Sequence, residues 1–257
     1  MPVTSAAATR KRDVLVAVIY GFLCHGLFIA SVAAMIVVMY DGMSGAFGPF
    51  QPPLRWVANA FLLLQFPLAH SILLTRGGNR FLARLAPAGL GKPLVTTTFV
   101  AIAAAQVLLL FMMWSPSGTI WWQAEGAVAV ALTIAYAASW LLLLKSIIDA
   151  GFSLQTGSLG WWSVFKGRPP MYPAMPEGGL FRMTRQPIYL AFTLTLWTVP
   201  TWTPDQLAVA VTLTAYCLIG PLFKEARFRR VFGGKFEAYR QRVPYWLPWP
   251  SRRERQE

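Results

Sequence analysis

The stretch "TRKRDVLVAVIYGFLCHGLFIASVAAMIVVMY", residues 9–40, decides the fold. From Val14 to Tyr40 it holds no Asp, Glu, Lys or Arg. A helix needs about 20 apolar residues to cross the hydrocarbon of a bilayer, whereas a signal peptide carries an apolar run of only about 7–15. The run is therefore a retained membrane span, and the basic residues ahead of it mark its cytoplasmic end.

Five further apolar stretches follow, at 54–75, 93–114, 122–148, 188–203 and 206–223. The last two are shorter and are joined by "TWTPDQ", a tight turn, so they read as a hairpin of two short spans. Composition agrees with this reading. The chain of 257 residues is 56% hydrophobic and only 13% charged, against about 25% charged in soluble proteins. A net charge of +13 would suggest nucleic acid only if a basic, water-exposed domain carried it, and the sequence has none. Cys24 and Cys217 lie inside apolar runs without metal spacing or a CxxC pair, so they read as small buried residues rather than a disulfide or zinc framework.

The basic residues set the topology. If six spans alternate, all of the 23 Lys and Arg except Arg55 fall on one side, while Asp41, Glu125 and Asp205 fall at or beside the other. Both termini are then cytoplasmic. The expected fold is all-α, a polytopic bundle of about six transmembrane helices in a single integral-membrane domain over residues 1–257. Within it, 1–148 forms a four-helix membrane part, 149–187 a cytoplasmic interfacial loop, and 188–257 a C-terminal hairpin and tail. The Trp pairs at 121–122 and 161–162, with Trp246 and Trp249, fit interfacial belts. "KFEAYRQR", residues 235–242, reads as a short interfacial helix with Phe236 and Tyr239 on one side.

One pattern links the long loop to the tail: Arg185-x-Pro187-x-Tyr189, a short hairpin, Glu225, then Phe232-Gly233, Tyr239 and Val243-Pro244. It resembles the C-terminal signature of integral-membrane methyltransferases, the group that includes isoprenylcysteine carboxyl methyltransferase and the phospholipid N-methyltransferases. The segments "IYGFLCHGLF" (19–28), "FPLAHSILL" (66–74), "FKGRPPMYPAMPEGGLFRMTRQPIYLAF" (165–192) and "WTVPTWTPDQLAVAVTLTAYCLIG" (197–220) resemble bacterial methanethiol S-methyltransferases. The resemblance implies S-adenosyl-L-methionine as methyl donor, a small apolar thiol as acceptor, and dimethyl sulfide as product. It also implies a place in the bacterial inner membrane with the site facing the cytoplasm.

Carried over by position, the resemblance makes Arg185, Gln186, Pro187, Tyr189, Glu225 and Tyr239 the cofactor-binding candidates, and the need for donors to the cofactor's carboxylate adds Arg227 and Arg240. His70 and Glu225 are the catalytic candidates, His70 as the residue that orients the acceptor. Three positions depart from the pattern: Gln186 stands for His, Ala191 for Gly, and Lys224-Glu225 for an acidic pair. Glutamine donates and accepts hydrogen bonds but carries no proton charge, so these changes bear on activity and acceptor more than on fold.

The chemistry asks for the same residue types. Transfer from a sulfonium needs donor and acceptor held in line at about 3–3.5 Å, and aromatic faces or a carboxylate for the cation. Arg, Tyr and Glu at the cytoplasmic boundary supply these. A thiol with a pKa near 8.5 ionises in part unaided, so no obligatory base is required. Two alternatives remain open: methylation of an isoprenylcysteine carboxylate or a lipid, and a non-catalytic accessory subunit or a haem protein using His25 and His70.

Overall fold

Long apolar runs fold as helices in a bilayer because a helix satisfies its own N–H and C=O groups where no water can. The structure, a computed structural model, describes residues 3–87 and 89–247, so Trp249 and the last basic residues lie outside the described residues. Among those described, the helices in chain order are α1 (Val3–Tyr40), α2 (Leu54–Leu73), α3 (Arg76–Leu85), α4 (Gly91–Met112), α5 (Gly126–Asp149), α6 (Phe152–Gln155), α7 (Ser158–Lys166), α8 (Pro187–Trp197), α9 (Pro204–Phe232) and α10 (Gly234–Arg242). Five of them, α1, α2, α4, α5 and α9, are long and apolar enough to cross a membrane. Their outward faces carry bare apolar side chains such as Phe22, 84% exposed, and Leu141, 68% exposed, which suit lipid and not water. The chain is an all-α, polytopic membrane protein.

The backbone groups into two compact units. The first takes the chain up to Val38 with Gly45–Pro116 and Ser153–Tyr172. Its core includes Ala17, Leu90, Leu94 and Val164. Thr97 ties α4 to α7, donating to the Gly157 carbonyl at 2.7 Å and accepting from the Trp161 N–H at 2.9 Å. Helix α3 occupies what the sequence presents as a basic loop. The Thr75 hydroxyl caps it, accepting from the Gly78 N–H at 3.1 Å, and Leu82 anchors it while Arg76, Arg80 and Arg84 repeat on one face. Hydropathy alone misses such a helix because its mean is polar although its pattern is amphipathic.

The second unit takes Met39–Ser44, Ser117–Phe152 and the chain from Pro173 onward. Here the expected pair of similar short spans is corrected: α8 has 11 residues and α9 has 29. Helix α9 starts cleanly, with the Thr203 hydroxyl accepting from the Gln206 N–H at 2.9 Å and Pro204 in the first turn. It then runs past the apolar limit at Phe223, because Lys, Glu, Ala and Arg are good helix formers and leaving the hydrocarbon does not end a helix.

The segment containing α8 still traverses the unit. Near its start, the Leu180 N–H donates to Asp149 Oδ2 at 2.9 Å, at the C-terminal end of α5. Gly179, at φ +56°, makes that approach possible, since a Cβ there would collide with the Asp149 carboxylate. At the far end, β2 (Thr201–Trp202) pairs antiparallel with β1 (Trp122–Gln123), just ahead of α5. Residues 180–202 therefore run the length of α5, whose 24 residues rise about 36 Å, more than the roughly 30 Å of hydrocarbon. The short helix α8 covers that length together with a 3-10 turn at Gly179–Arg182 before it and strand β2 after it.

Helix α10 exists as expected, but its apolar side does not face a membrane surface. Phe236 and Tyr239 are buried against Met175, Phe228 and Phe232. The Trp161 ring likewise packs inward, donating from Nε1 to His25 Nε2 at 3.0 Å, while Trp121, Trp122 and Trp162 remain exposed as belt residues.

Candidate functional site

Helix α8 opens on Pro187, whose fixed φ and missing N–H suit a first helical position. Arg185 and Gln186 are thereby held just ahead of the helix. The C-terminal segment straps across them: the Arg185 N–H donates to the Pro244 carbonyl at 3.0 Å, and the Thr184 hydroxyl donates to the Tyr245 carbonyl at 3.3 Å. The two chain segments named by the sequence pattern, 40 residues apart at Arg185 and Glu225, meet here within the second unit.

Glu225 is the hub. Its Oε2 accepts from Arg185 Nη1 at 2.9 Å and its Oε1 from Gln186 Nε2 at 2.8 Å. Gln186, fully buried, passes the chain onward, its Oε1 accepting from Lys224 Nζ at 2.8 Å. The Lys224 ammonium lies over three rings, those of Phe181, Tyr189 and Phe228, at 5.7, 5.6 and 5.5 Å from their centroids. Arg185 lies over the Tyr245 ring at 5.4 Å. Its Nε is buried and finds no acceptor among the described residues. Arg185 and Lys224 bring two positive charges against the one carboxylate of Glu225, which of the two only Arg185 contacts, so the cluster is net positive.

Burial pulls the Arg185 pKa below the ordinary guanidinium value, while the Glu225 charge opposes the shift; the group nevertheless stays charged at any working pH. Burial also raises the Tyr239 pKa, with Arg185 opposing. The Tyr239 hydroxyl is already spent, donating to the Phe181 carbonyl at 2.8 Å, so it braces one of the three rings. Arg227 lies further along α9, three residues beyond Lys224. Arg240 reaches Glu237 Oε2 at 3.2 Å on the exposed side of α10.

This geometry coincides with sequence similarity over most of the chain. A methanethiol S-methyltransferase of Mycobacterium tuberculosis (strain ATCC 25618 / H37Rv) is 29% identical over 201 residues, 76% of this chain and 79% of that protein. A methanethiol S-methyltransferase of Pseudomonas sp. (strain GM41(2012)) is 28% identical over 229 residues, covering 88% and 85%. The chain is similar to the methanethiol S-methyltransferases over most of its length. It is also similar to Nurim of Sus scrofa, 26% identical over 173 residues, 64% of this chain and 63% of that protein. No family model and no solved structure matches the chain.

Of the residues that the sequence pattern singles out, the structure gathers Arg185, Gln186, Tyr189 and Glu225 around one point, with Pro187 buried at the start of α8. It also joins two of the three departures from the pattern, Gln186 and Lys224, by a direct hydrogen bond. Phe181, Phe228 and Tyr245 complete the cluster without any motif to announce them. Their one signal is helical spacing: Phe228 lies one turn beyond Lys224.

His70 belongs to the first unit, near the end of α2, with its ring 5.1 Å from Phe66 and 4.8 Å from Phe99. His25, in the same unit, has its Nε2 engaged by the Trp161 indole, a packing role that competes with haem ligation at that nitrogen. Among the described residues no group of three or more His, Cys, Asp or Glu could hold a metal.

Proposed function

We propose that this protein transfers a methyl group from S-adenosylmethionine to a small thiol, with methanethiol as the acceptor suggested by its relatives' names. The observation that carries the reading is the Arg185–Glu225–Gln186 cluster, built from the two segments the methyltransferase pattern specifies. The residues present fit the donor. The unpartnered, buried Arg185 Nε offers a charge-assisted bond to a carboxylate.

When bound, S-adenosylmethionine supplies a methyl group on a cationic sulfur that a thiolate displaces. Arg185 holds the donor's carboxylate end. Glu225 fixes the Arg185 guanidinium and the Gln186 amide in one orientation, so that the open Nε–H points in a set direction. Pro187 and the strap from Pro244 hold the backbone of that pair rigid. Tyr239 acts through Phe181. Arg227 and Arg240 add positive potential that draws an anionic group toward the cluster. Because a thiol near pKa 8.5 supplies its own thiolate fraction, the residues need to orient the acceptor more than deprotonate it, and we assign that part to His70. An apolar thiol arrives through the bilayer, while a charged donor arrives from the cytoplasm, the side the basic loops specify.

The test is S-adenosylmethionine binding to detergent-purified protein beside Glu225→Ala and Arg185→Ala, with headspace dimethyl sulfide measured after methanethiol is added. Saturable binding lost in both folded variants, with dimethyl sulfide formed by the wild type, supports the assignment. Absence of binding by folded wild-type protein in native-like lipid overturns it. His70→Gln should raise the methanethiol KM while leaving the donor Kd unchanged.

A further inference from the structure

Lys224 is a member of the cluster to which the proposed function gives no role. Its ammonium lies over Phe181, Tyr189 and Phe228, and its direct polar contacts are Gln186 Oε1 at 2.8 Å and the Arg185 carbonyl at 3.5 Å. Three ring faces around one positive centre form the arrangement that recognises alkylated cations, which bind aromatic quadrupoles without needing hydrogen bonds.

The ring centroids lie 5.5–5.7 Å from the ammonium, within the roughly 6 Å over which a ring face attracts a cation. The rings are braced, because Tyr239 holds the Phe181 backbone and Phe232 and Phe236 pack on the Phe228 ring.

We propose that Phe181, Tyr189 and Phe228 form an onium-binding cage that Lys224 fills in the ligand-free protein as a tethered occupant. The cage selects methylated sulfonium or ammonium groups. Lys224 must leave it before such a cation enters, and it gives up the Gln186 bond as it goes. Where the cation is the sulfonium of the donor, a step that rests on the function proposed above, Lys224 lowers donor affinity and leaves affinity for the uncharged demethylated product higher by comparison. Gln186 and Lys224 then act as one latch, and this explains why these two of the three departures from the pattern touch.

The probe is trimethylsulfonium, which carries the cation and none of the nucleoside, titrated against purified full-length protein in detergent. Lys224→Ala should bind it about tenfold more tightly than the wild type, the size of a single good cation–π enclosure. Adding Phe228→Leu to Lys224→Ala should remove the gain. Lys224→Met removes the charge but keeps the cage filled, so it should gain much less than Lys224→Ala. Equal gains in the Met and Ala variants would mean simple charge repulsion and overturn the cage. Unchanged trimethylsulfonium binding in Lys224→Ala, with the melting temperature retained, overturns it as well.

A parallel titration with S-adenosylmethionine and S-adenosylhomocysteine separates this inference from the proposed function. If trimethylsulfonium enters the opened cage but neither nucleoside binds any variant, the cage stands and the methyltransferase reading falls. If both nucleosides bind wild type and Lys224→Ala with the same ratio of affinities, the reading stands and the latch falls.

Discussion

Two buried polar clusters in this molecule show opposite designs. In the first unit, Asn59 and Ser115 close on each other: the Asn59 amide donates to the Ser115 carbonyl at 2.9 Å, and its oxygen accepts from the Ser115 N–H at 3.0 Å. The pair is neutral, and both polar atoms of the Asn59 side chain are engaged. In the second unit, Arg185, Gln186, Lys224 and Glu225 form a chain that carries net charge and leaves Arg185 Nε without an acceptor among the described residues. A buried polar pair that closes on itself stabilises the fold. One that keeps a charged donor open is costly unless a ligand completes it.

The comparison is broken most severely at Glu225. Glu225→Ala leaves Arg185 buried and unpaired, and we expect a loss of about 3 kcal/mol or more in stability with loss of donor binding; SDS or urea unfolding and calorimetric titration check both. Asn59→Ala should cost about 1–3 kcal/mol yet leave donor affinity per folded molecule unchanged. If it weakened binding as Glu225→Ala does, the division into structural and site clusters would be wrong. Tyr239→Phe removes one bond to the Phe181 carbonyl, an expected 0.5–1.5 kcal/mol or about that, and should loosen ligand affinity only a few-fold through the displaced ring.

The smallest effect belongs to the exposed pair Arg229–Glu237. The hydrogen bond from Arg229 holds the Glu237 carboxyl below its ordinary 4.5. A carboxylate with a depressed folded pKa contributes stability that is present above the unfolded value and lost as pH falls through the folded one. Glu237→Gln should therefore flatten a slight loss of stability below about pH 4.5 and change nothing measurable at neutral pH. Unfolding midpoints across that range test the sign.

How far the site could be read in advance differs residue by residue. Arg185, Pro187, Tyr189 and Glu225 stand out because a charged residue beside a helix-starting proline, and an acid at the end of an apolar run, are visible in one dimension. Phe181 and Phe228 are invisible in that sense. In a chain with 17 Phe, nothing local separates a ring that packs from a ring that faces a cation. Tyr239 reads as a ligand by its place in the pattern, yet its hydroxyl is committed to a backbone carbonyl. Lys224 reads as a lost carboxylate, whereas in space it answers Gln186.

By itself, the sequence determined that the chain is helical, that it lies in a membrane, and which ends of its spans carry the charge. Those properties follow from summed transfer free energies and helix propensities, which depend on neighbours along the chain. Only the tertiary structure decided that an 11-residue helix with its flanking segments runs the full length of α5, that α9 carries Lys224 and Glu225 beyond the apolar limit, and that three rings surround one ammonium. Each of these depends on distances between residues far apart in sequence, set by the pairing of β1 with β2, the Asp149–Leu180 contact and the strap at Pro244.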